Sequence, residues 1–477
     1  MLDGQGGILQ SLDNATLGKF HRKVMLTSGV GFFTDAYDLF IIGVVIDILP
    51  LAKWQPFTDF QISLLSSVAL LSAIIGSVVF GRLIDKYGRK RIYGTELVLL
   101  ITGALGSAFL VPVNGIYILA AWRFILGIGI GGDYADSSTI MTEYANVKDR
   151  GRMVGTVFSM QSFGLIAGPL VALGFIFSGI PLSIAWKIML AIGALPALMA
   201  VYFRRQMPET PRFQLGVNGN YQDAKKQLEK YTGMNLTGSH AEESRKINAK
   251  WSVLFTDRRF LLTLIGTAGT WFLMDWVLYG NSIMSSLMLK SIISPALPPI
   301  DHIIKTTEYS ALIFGIAAFP GYWIATYTTD RIGRKPIQVA GFSAMAISFA
   351  VLGIFTQLTT VRYVYEFLIV YGLSYFFIEF GPNVTTFIYP PEVFPVTSRG
   401  LGTGLSAGGG KTGAFIGTFV NVFIIAILGE NKLFLILAFF SLIGAILTII
   451  LLPEPTRKRL EESSGENRYI THENLRK

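Results

Sequence analysis

From Val24 to Leu452 the chain alternates long apolar runs with short polar breaks. About twelve of the runs hold 20 or more residues, each long enough to cross ~30 Å of hydrocarbon as a helix. The pattern predicts helices over 24–50, 62–84, 91–113, 116–142, 152–178, 182–204, 259–289, 307–329, 336–357, 363–389, 398–428 and 430–452. Ten-residue segments of alternating polarity, the mark of a membrane barrel, are absent. The first run is too long for a signal peptide and is interrupted by Asp35 and Asp38. An even number of spans puts both termini on one side, and the basic polar lead before Val24 makes that side the cytoplasm.

Between Arg205 and Arg258 the composition turns polar, and Tyr221, Ala224, Leu228 and Tyr231 form an apolar stripe at helical spacing among lysines. The segment therefore reads as a cytoplasmic linker with one surface helix. The chain also repeats itself. Asp85-Lys86-Tyr87-Gly88-Arg89-Lys90 recurs as Asp330-Arg331-Ile332-Gly333-Arg334-Lys335, and Pro208-Glu209-Thr210 recurs as Pro453-Glu454-Pro455, both at a shift of 245 residues. Glu143 with Arg150-Gly151 recurs as Glu392 with Arg399-Gly400 at a shift of 249. The expected architecture is an all-α membrane protein of twelve transmembrane helices in two pseudo-symmetric six-helix bundles. Residues 1–204 form the first bundle, 205–258 the linker, 259–453 the second bundle and 454–477 a cytoplasmic tail.

Composition sharpens this picture. Half of the residues are hydrophobic (51%), only 15% are charged and the mean hydropathy is +0.51, too apolar for a soluble chain of 477 residues. The net charge of +9 is carried in clusters at predicted helix ends, such as Arg82, Lys86, Arg89, Lys90 and Arg91. That is the pattern of the positive-inside rule and not of a nucleic-acid surface. There is no cysteine, which removes disulfides and thiolate chemistry. The four histidines, His21, His240, His302 and His472, fall in predicted loops or tails, so neither a metal nor a cofactor is expected.

Candidate chemistry begins with Lys411, an ammonium in the glycine-rich run Gly408-Gly409-Gly410-Lys411-Thr412-Gly413 inside a predicted span. Such a group costs about 2.5–3.5 kcal/mol to insert and is kept where it meets an anion or a carboxylate. Asp35 and Asp38, three apart on the first helix, share a face that can only be the bundle interior. Asp133, Tyr134 and Glu96 extend the intramembrane acids in the same half; Glu96 also lies close enough to the basic cluster to pair with it. Trp271, Asp275 and Tyr279 make an i, i+4, i+8 stripe on the seventh helix, with a carboxylate at its centre. With Gln161 and Lys411 these side chains offer an ammonium, an indole N–H, phenols, an amide and a titratable acid. The set suits a small tetrahedral oxyanion better than a sugar.

Several blocks carry a resemblance. The loop motif at Gly81-x-x-x-Asp85-Lys86-x-Gly88-Arg89-Lys90, weakly repeated after the eighth helix, resembles the major facilitator superfamily, whose halves rock around a midplane site. Within it, five blocks are similar to the phosphate:proton symporter family. They are Thr34-Asp35-Ala36-Tyr37-Asp38, Gly131-Gly132-Asp133-Tyr134 with Ser138 to Glu143, Phe380-Gly381-Pro382-Asn383 to Phe387, Pro391-Glu392-Val393-Phe394-Pro395, and Ser406 to Lys411. The resemblance implies that Tyr134, Gln161, Trp271, Asp275, Tyr279 and Lys411 bind inorganic phosphate. It also implies that Asp35 and Asp133, with Asp38 and Glu96 nearby, serve the proton path. Glu379 departs from the family pattern, which usually has asparagine there; an added acid can carry protons, repel anions or pair with a base.

Asp85, Arg89, Glu143, Arg150, Asp330 and Arg331 are expected to act as gates, grouped as Asp85 with Arg331 and Glu143 with Arg150. Arg123 is expected either to anchor to Glu143 or another cytoplasmic acid, or to be held in the helix interior by pairing. Gly127-Ile128-Gly129-Ile130-Gly131-Gly132 fits a dinucleotide pattern but follows no strand, so its glycines are read as close helix packing. Gly410-Lys411-Thr412 lacks the first glycine of a phosphate loop, because Leu405 stands there. The sequence thus points to a proton-coupled phosphate importer, expected to be monomeric, in the cell membrane. The alternatives are a related carrier of another oxyanion, an organic acid or a sugar, and a membrane nutrient sensor. The sensor lacks a sizeable signalling domain, and an enzyme would need a nucleophile or metal constellation that is not found.

Overall fold

The structure, a computed structural model, describes residues 7–232, 246–283 and 285–471. Twelve helices among them are long and apolar enough to cross a membrane. The first half holds helix 1 (Lys19–Ile48), helix 2 (Asp59–Tyr87), helix 3 (Arg89–Phe109), helix 4 (Ile116–Tyr144), helix 5 (Arg150–Phe177) and helix 6 (Leu182–Arg205). The second holds helix 7 (Arg258–Ser282), helix 8 (Pro299–Ile332), helix 9 (Arg334–Ile354), helix 10 (Val361–Val393), helix 11 (Arg399–Leu428) and helix 12 (Glu430–Leu451). Side chains such as Ile316, Tyr365 and Ile427, 70%, 77% and 78% exposed, cover the outer surface. A water-facing surface would not carry them so densely, but a lipid-facing one does.

Helix 7 ends seven residues earlier than its apolar run predicts, at Ser282 rather than 289, and helix 8 begins at Pro299 rather than 307. The early start follows from Pro299 at the first helical turn, where its missing N–H costs nothing, with Asp301 completing the turn. Hydropathy alone rejects those polar residues. His21 and His302 lie on helices 1 and 8 and not in loops; His240 and His472 lie outside the described residues, as do 233–245 of the expected linker and 472–477 of the expected tail.

The bundles close up through glycine. A Cβ on Gly127 or Gly131 of helix 4 would lie 2.0 Å from a carbonyl of helix 2, at Ala69 and Ala73, so these positions admit no side chain. On helix 11, Gly404 meets the Ser77 carbonyl of helix 2, while Gly410 and Gly413 meet Trp271 and the Phe272 carbonyl of helix 7. Helix 11 is thereby wedged against one helix from each half.

The linker helix (Tyr221–Thr232) buries Tyr221, Ala224 and Leu228 against Ile8, Leu9, Leu12 and Leu215. The side chain of Tyr231 lies outside the described residues. The lead before helix 1 is therefore not merely polar: Ile8–Asp13 is a short helix docked on the linker. Its apolar stripe is too short for periodicity to reveal. Among the described residues the one sheet is a two-residue ladder, Lys246–Ile247 with Ile470–Thr471, which ties linker to tail.

Candidate functional site

Lys411, fully buried on helix 11, sits where the two halves meet. Its Nζ donates to Asp275 Oδ2 at 3.1 Å and to the Tyr279 hydroxyl at 3.1 Å, both on helix 7. The ammonium also lies 4.0 Å from the centre of the Tyr134 ring and 4.3 Å from that of Tyr279, within cation–π range. The Tyr134 and Tyr279 hydroxyls are 3.0 Å apart, joining the halves directly, and Gln161 Nε2 donates to the Tyr134 hydroxyl at 2.6 Å. Trp271 Nε1 lies beside Asp275 but completes no hydrogen bond of good geometry. The other five expected substrate residues thus converge around Lys411.

Aromatic rings close this group from two directions. Phe40 stacks on Tyr279 with centroids 5.5 Å apart and planes within 7°. On the other side Phe32, Phe158 and Phe387 pack on one another and against Tyr134. The rings and the groups they enclose are buried, and charge interactions gain strength accordingly.

A second buried cluster lies within the first half. Arg204, at the end of helix 6, donates to both oxygens of Asp133 at 2.8 Å and to Glu96 Oε1 at 2.7 Å. Its guanidinium stacks 4.4 Å from the Tyr93 ring. Gly31 makes room: a Cβ there would fall 1.9 Å from Arg204 Nη2. Asp35 stands within electrostatic range of Asp133, Arg204 and Lys411, and neither of its oxygens finds a hydrogen-bond partner. Asp136, also buried, likewise has both oxygens unsatisfied. Asp38 diverges from Asp35: its carboxyl lies against Gly193 of helix 6, while its backbone carbonyl accepts from Arg123 at 2.7 Å. Arg123 does not reach Glu143; it is held inside the bundle by Asp38.

At the end of the molecule bearing the repeated loops, the two halves are tied by matching contacts. Glu143 accepts from Arg89 of its own half at 2.7 Å and from Arg399 of the other at 3.0 Å. Glu392 accepts from Arg334 of its own half at 2.7 Å and from Arg150 of the other at 2.7 Å. Asp85 accepts from the Gly400 and Leu401 amides that start helix 11, at 3.0 and 2.8 Å. Asp330 accepts from the Gly151 and Arg152 amides that start helix 5, at 2.9 and 2.8 Å. Each carboxylate therefore caps a helix of the opposite bundle, where four amides lack intrahelical partners and the dipole favours negative charge. Thr210 adds a hydrogen bond to Glu143.

The expected groupings need correction here. Asp85 lies with Arg89 and helix 11, not with Arg331, which is exposed. Glu143 and Arg150 belong to two separate triads because neighbours in sequence at the start of helix 5 point across the interface. Sequence reasoning missed Arg204, Arg334, Arg399, Asp136 and Tyr322. Arg334 and Arg399 were recoverable, standing at the repeat shifts from Arg89 and Arg150. Arg204, beside Arg205 at a helix end, looks like any positive-inside residue.

Twelve spanning helices in two related bundles, closed around one buried cation, define a major facilitator carrier and not an enzyme. The chain belongs to the Sugar (and other) transporter family, which it matches over residues 23–465, and it is similar over nearly its whole length to proteins named as inorganic phosphate transporters. It is 34% identical to the probable inorganic phosphate transporter 1-6 of Arabidopsis thaliana, covering 97% of each chain. It is 35% identical to the inorganic phosphate transporter 1-11 of Oryza sativa subsp. japonica, covering 98% of this chain and 92% of that one. Among solved structures, the proton:xylose symporter XylE superposes with a TM-score of 0.77 at 20% identity, over 94% of this chain and 98% of that one.

Proposed function

We propose that this protein imports inorganic phosphate together with protons across the cell membrane by alternating access, with both termini in the cytoplasm. The observation that carries the reading is Lys411, held between Asp275, Tyr279 and the Tyr134 ring. A compact dianion or monoanion finds there one fixed charge and several converging donors, as tetrahedral oxyanions require. The names of the relatives supply the choice of phosphate among such anions.

Without substrate, Lys411 is neutralised by Asp275. An arriving phosphate competes for the ammonium, and Asp275, then beside an anion, takes a proton. Tyr134, Tyr279 and Gln161 turn their donors to the phosphate oxygens, with Trp271 Nε1 as a further donor. In the first half Asp35, Glu96, Asp133 and Asp136 share Arg204, and a low-dielectric interior does not hold so many uncompensated negative charges. Arg204 neutralises Asp133 through two hydrogen bonds. Protons therefore accompany the acids left without such a partner, and Asp35, with neither oxygen hydrogen-bonded and within electrostatic range of Lys411, is the group that exchanges one with the site. Asp85, Arg89, Glu143, Arg150 and Asp330 hold the cytoplasmic side closed.

Purified protein in proteoliposomes tests this directly. Radiolabelled phosphate should accumulate when a proton gradient, acid outside, is imposed. Flux indifferent to that gradient and to voltage would point to a uniporter or exchanger, and flux of another oxyanion in preference would replace the substrate.

A further inference from the structure

Glu379 sits at a break in helix 10. The α-helix Val364–Ile378 gives way to a π-turn over Glu379–Asn383, in which Gly381 leaves helical geometry (φ −111°, ψ −108°) and Pro382 has no N–H to offer. The carboxyl is completely buried and forms no ion pair among the described residues. Oε2 accepts from Asn383 Nδ2 at 2.5 Å, and Oε1 has no hydrogen-bond partner.

Among the described residues the groups facing it come from helices 7, 8, 9 and 10, and none is a cation. Helix 8 brings the Tyr322 phenol, helix 10 itself brings Tyr375, helix 7 brings the Asp275 carboxyl, and helix 9 brings Gly341 against the break. An ionised carboxylate with one amide donor and another acid as its charged neighbour is costly in a medium of low dielectric, and a bound proton removes that cost.

The same carboxyl is wired to the phosphate site. Asn383 Nδ2 also donates to the Tyr322 hydroxyl at 2.9 Å, and Tyr322 in turn donates to Gln161 Oε1 at 3.2 Å. Gln161 Nε2 continues to Tyr134, Tyr134 to Tyr279, and Lys411 donates to Tyr279. Tyr322 has a single proton, which serves either Gln161 or Glu379. An ionised Glu379 draws that proton away from Gln161. A protonated Glu379 needs no donor and leaves the Tyr322 hydroxyl on Gln161 Oε1, which holds Gln161 Nε2 and Tyr134 aimed at the site; proton and phosphate therefore favour one another.

We propose that Glu379 is a proton-binding site of the transport cycle, coupled to the phosphate site through Tyr322, Gln161, Tyr134 and Tyr279. It takes a proton from the outer side with phosphate and releases it to the inner side. This rests on the proton-phosphate reading above and adds to it a carrier in the second half, beyond Asp35 in the first.

The test is thermodynamic and so independent of rate. The reversal potential of the phosphate current in proteoliposomes, at fixed phosphate and proton gradients, gives the protons moved per phosphate. Glu379→Gln should lower that ratio by one proton and flatten the acid stimulation of uptake, while Glu379→Asp should restore both. A ratio in Glu379→Gln equal to the wild type overturns the proposal. Should Glu379→Gln carry no flux, infrared difference spectra of wild type and variant with and without phosphate decide instead. A protonated-carboxyl band that responds to phosphate in the wild type and is missing from the variant supports the site; identical bands overturn it. Wild-type protein with no proton-dependent phosphate flux would show, before any variant is made, that the underlying reading has failed, and the proposal with it.

Discussion

Replacing Lys411 by alanine removes the cation on which the proposed phosphate site is built, and two effects follow that must be kept apart. The ammonium is fully buried, with two hydrogen bonds of 3.1 Å to Asp275 and Tyr279. A charge-assisted hydrogen bond to phosphate in its place is worth about 1.5–3 kcal/mol. At about 1.4 kcal/mol per decade its loss weakens binding about ten- to a hundredfold. The second effect concerns the fold: truncating one partner of a buried pair strands the other at about 3–5 kcal/mol, here the Asp275 carboxylate. A protein destabilised in that way can lose binding for reasons unrelated to the anion. The double variant Lys411→Ala with Asp275→Asn removes both charges, so it should recover most of the thermal stability while phosphate affinity stays low. Calorimetric titration with phosphate in nanodiscs, alongside thermal unfolding, reads both. A double variant that binds phosphate within about twofold of the wild type would refute the reasoning, since roughly 0.4 kcal/mol is too little for a charged contact of this kind.

Asp35→Asn keeps the shape and removes the titration; gradient-driven uptake should stop while phosphate exchange between equal pools continues, and equal loss of both would make Asp35 a structural group. Gly31→Ala should force Arg204 and Asp133 apart, since the new Cβ would lie 1.9 Å and 2.2 Å from them. A stability loss on the order of 3 kcal/mol is expected from thermal or denaturant unfolding, and an unchanged transition would show that the pair is not tightly seated. Glu143→Gln weakens one cross-bundle triad. Because the chain has no cysteine, a single reporter at the buried Thr403 of helix 11 can be labelled cleanly by a membrane-impermeant maleimide from the loop side. The variant should react about tenfold faster or more, the equivalent of one charged hydrogen bond, and equal rates would remove Glu143 from the gate.

The number and type of helices were legible because the length of an apolar run is a one-dimensional property, and so was the duplication. The cluster around Lys411 was legible for a similar reason: Trp271, Asp275 and Tyr279 fall on one helical stripe, and Lys411 is a charge that a membrane segment keeps only for a partner. Partners across helices were not legible. Arg204 differs from Arg205 only in which way the last turn of helix 6 faces, which tertiary packing decides. The repeat marks Asp85 and Asp330 as equivalent, but equivalence does not say that each touches the other half. The helix 10 break could be anticipated from Gly381-Pro382, yet where it aims Glu379 depends on helices 7, 8 and 9.

The two triads at the loop end look interchangeable, but their arginines do not have equal prospects if the bundles separate there. Each glutamate keeps the arginine of its own half, Arg89 for Glu143 and Arg334 for Glu392. Arg399 keeps Glu466 of the tail, at 3.3 Å, and the Phe394 carbonyl. Arg150 has no such refuge: Glu392 and the carbonyls of Pro455 and Lys458 all belong to the second half and its tail. With the loop end facing the cytoplasm, as proposed above, parting the halves would leave Arg150, alone among the four triad arginines, without an acid partner, a landing stage for the departing anion and for any cytosolic anion that competes with it. Efflux from the inner side would then depend on the ionic composition of the cytosol, while loading from the outer side would not.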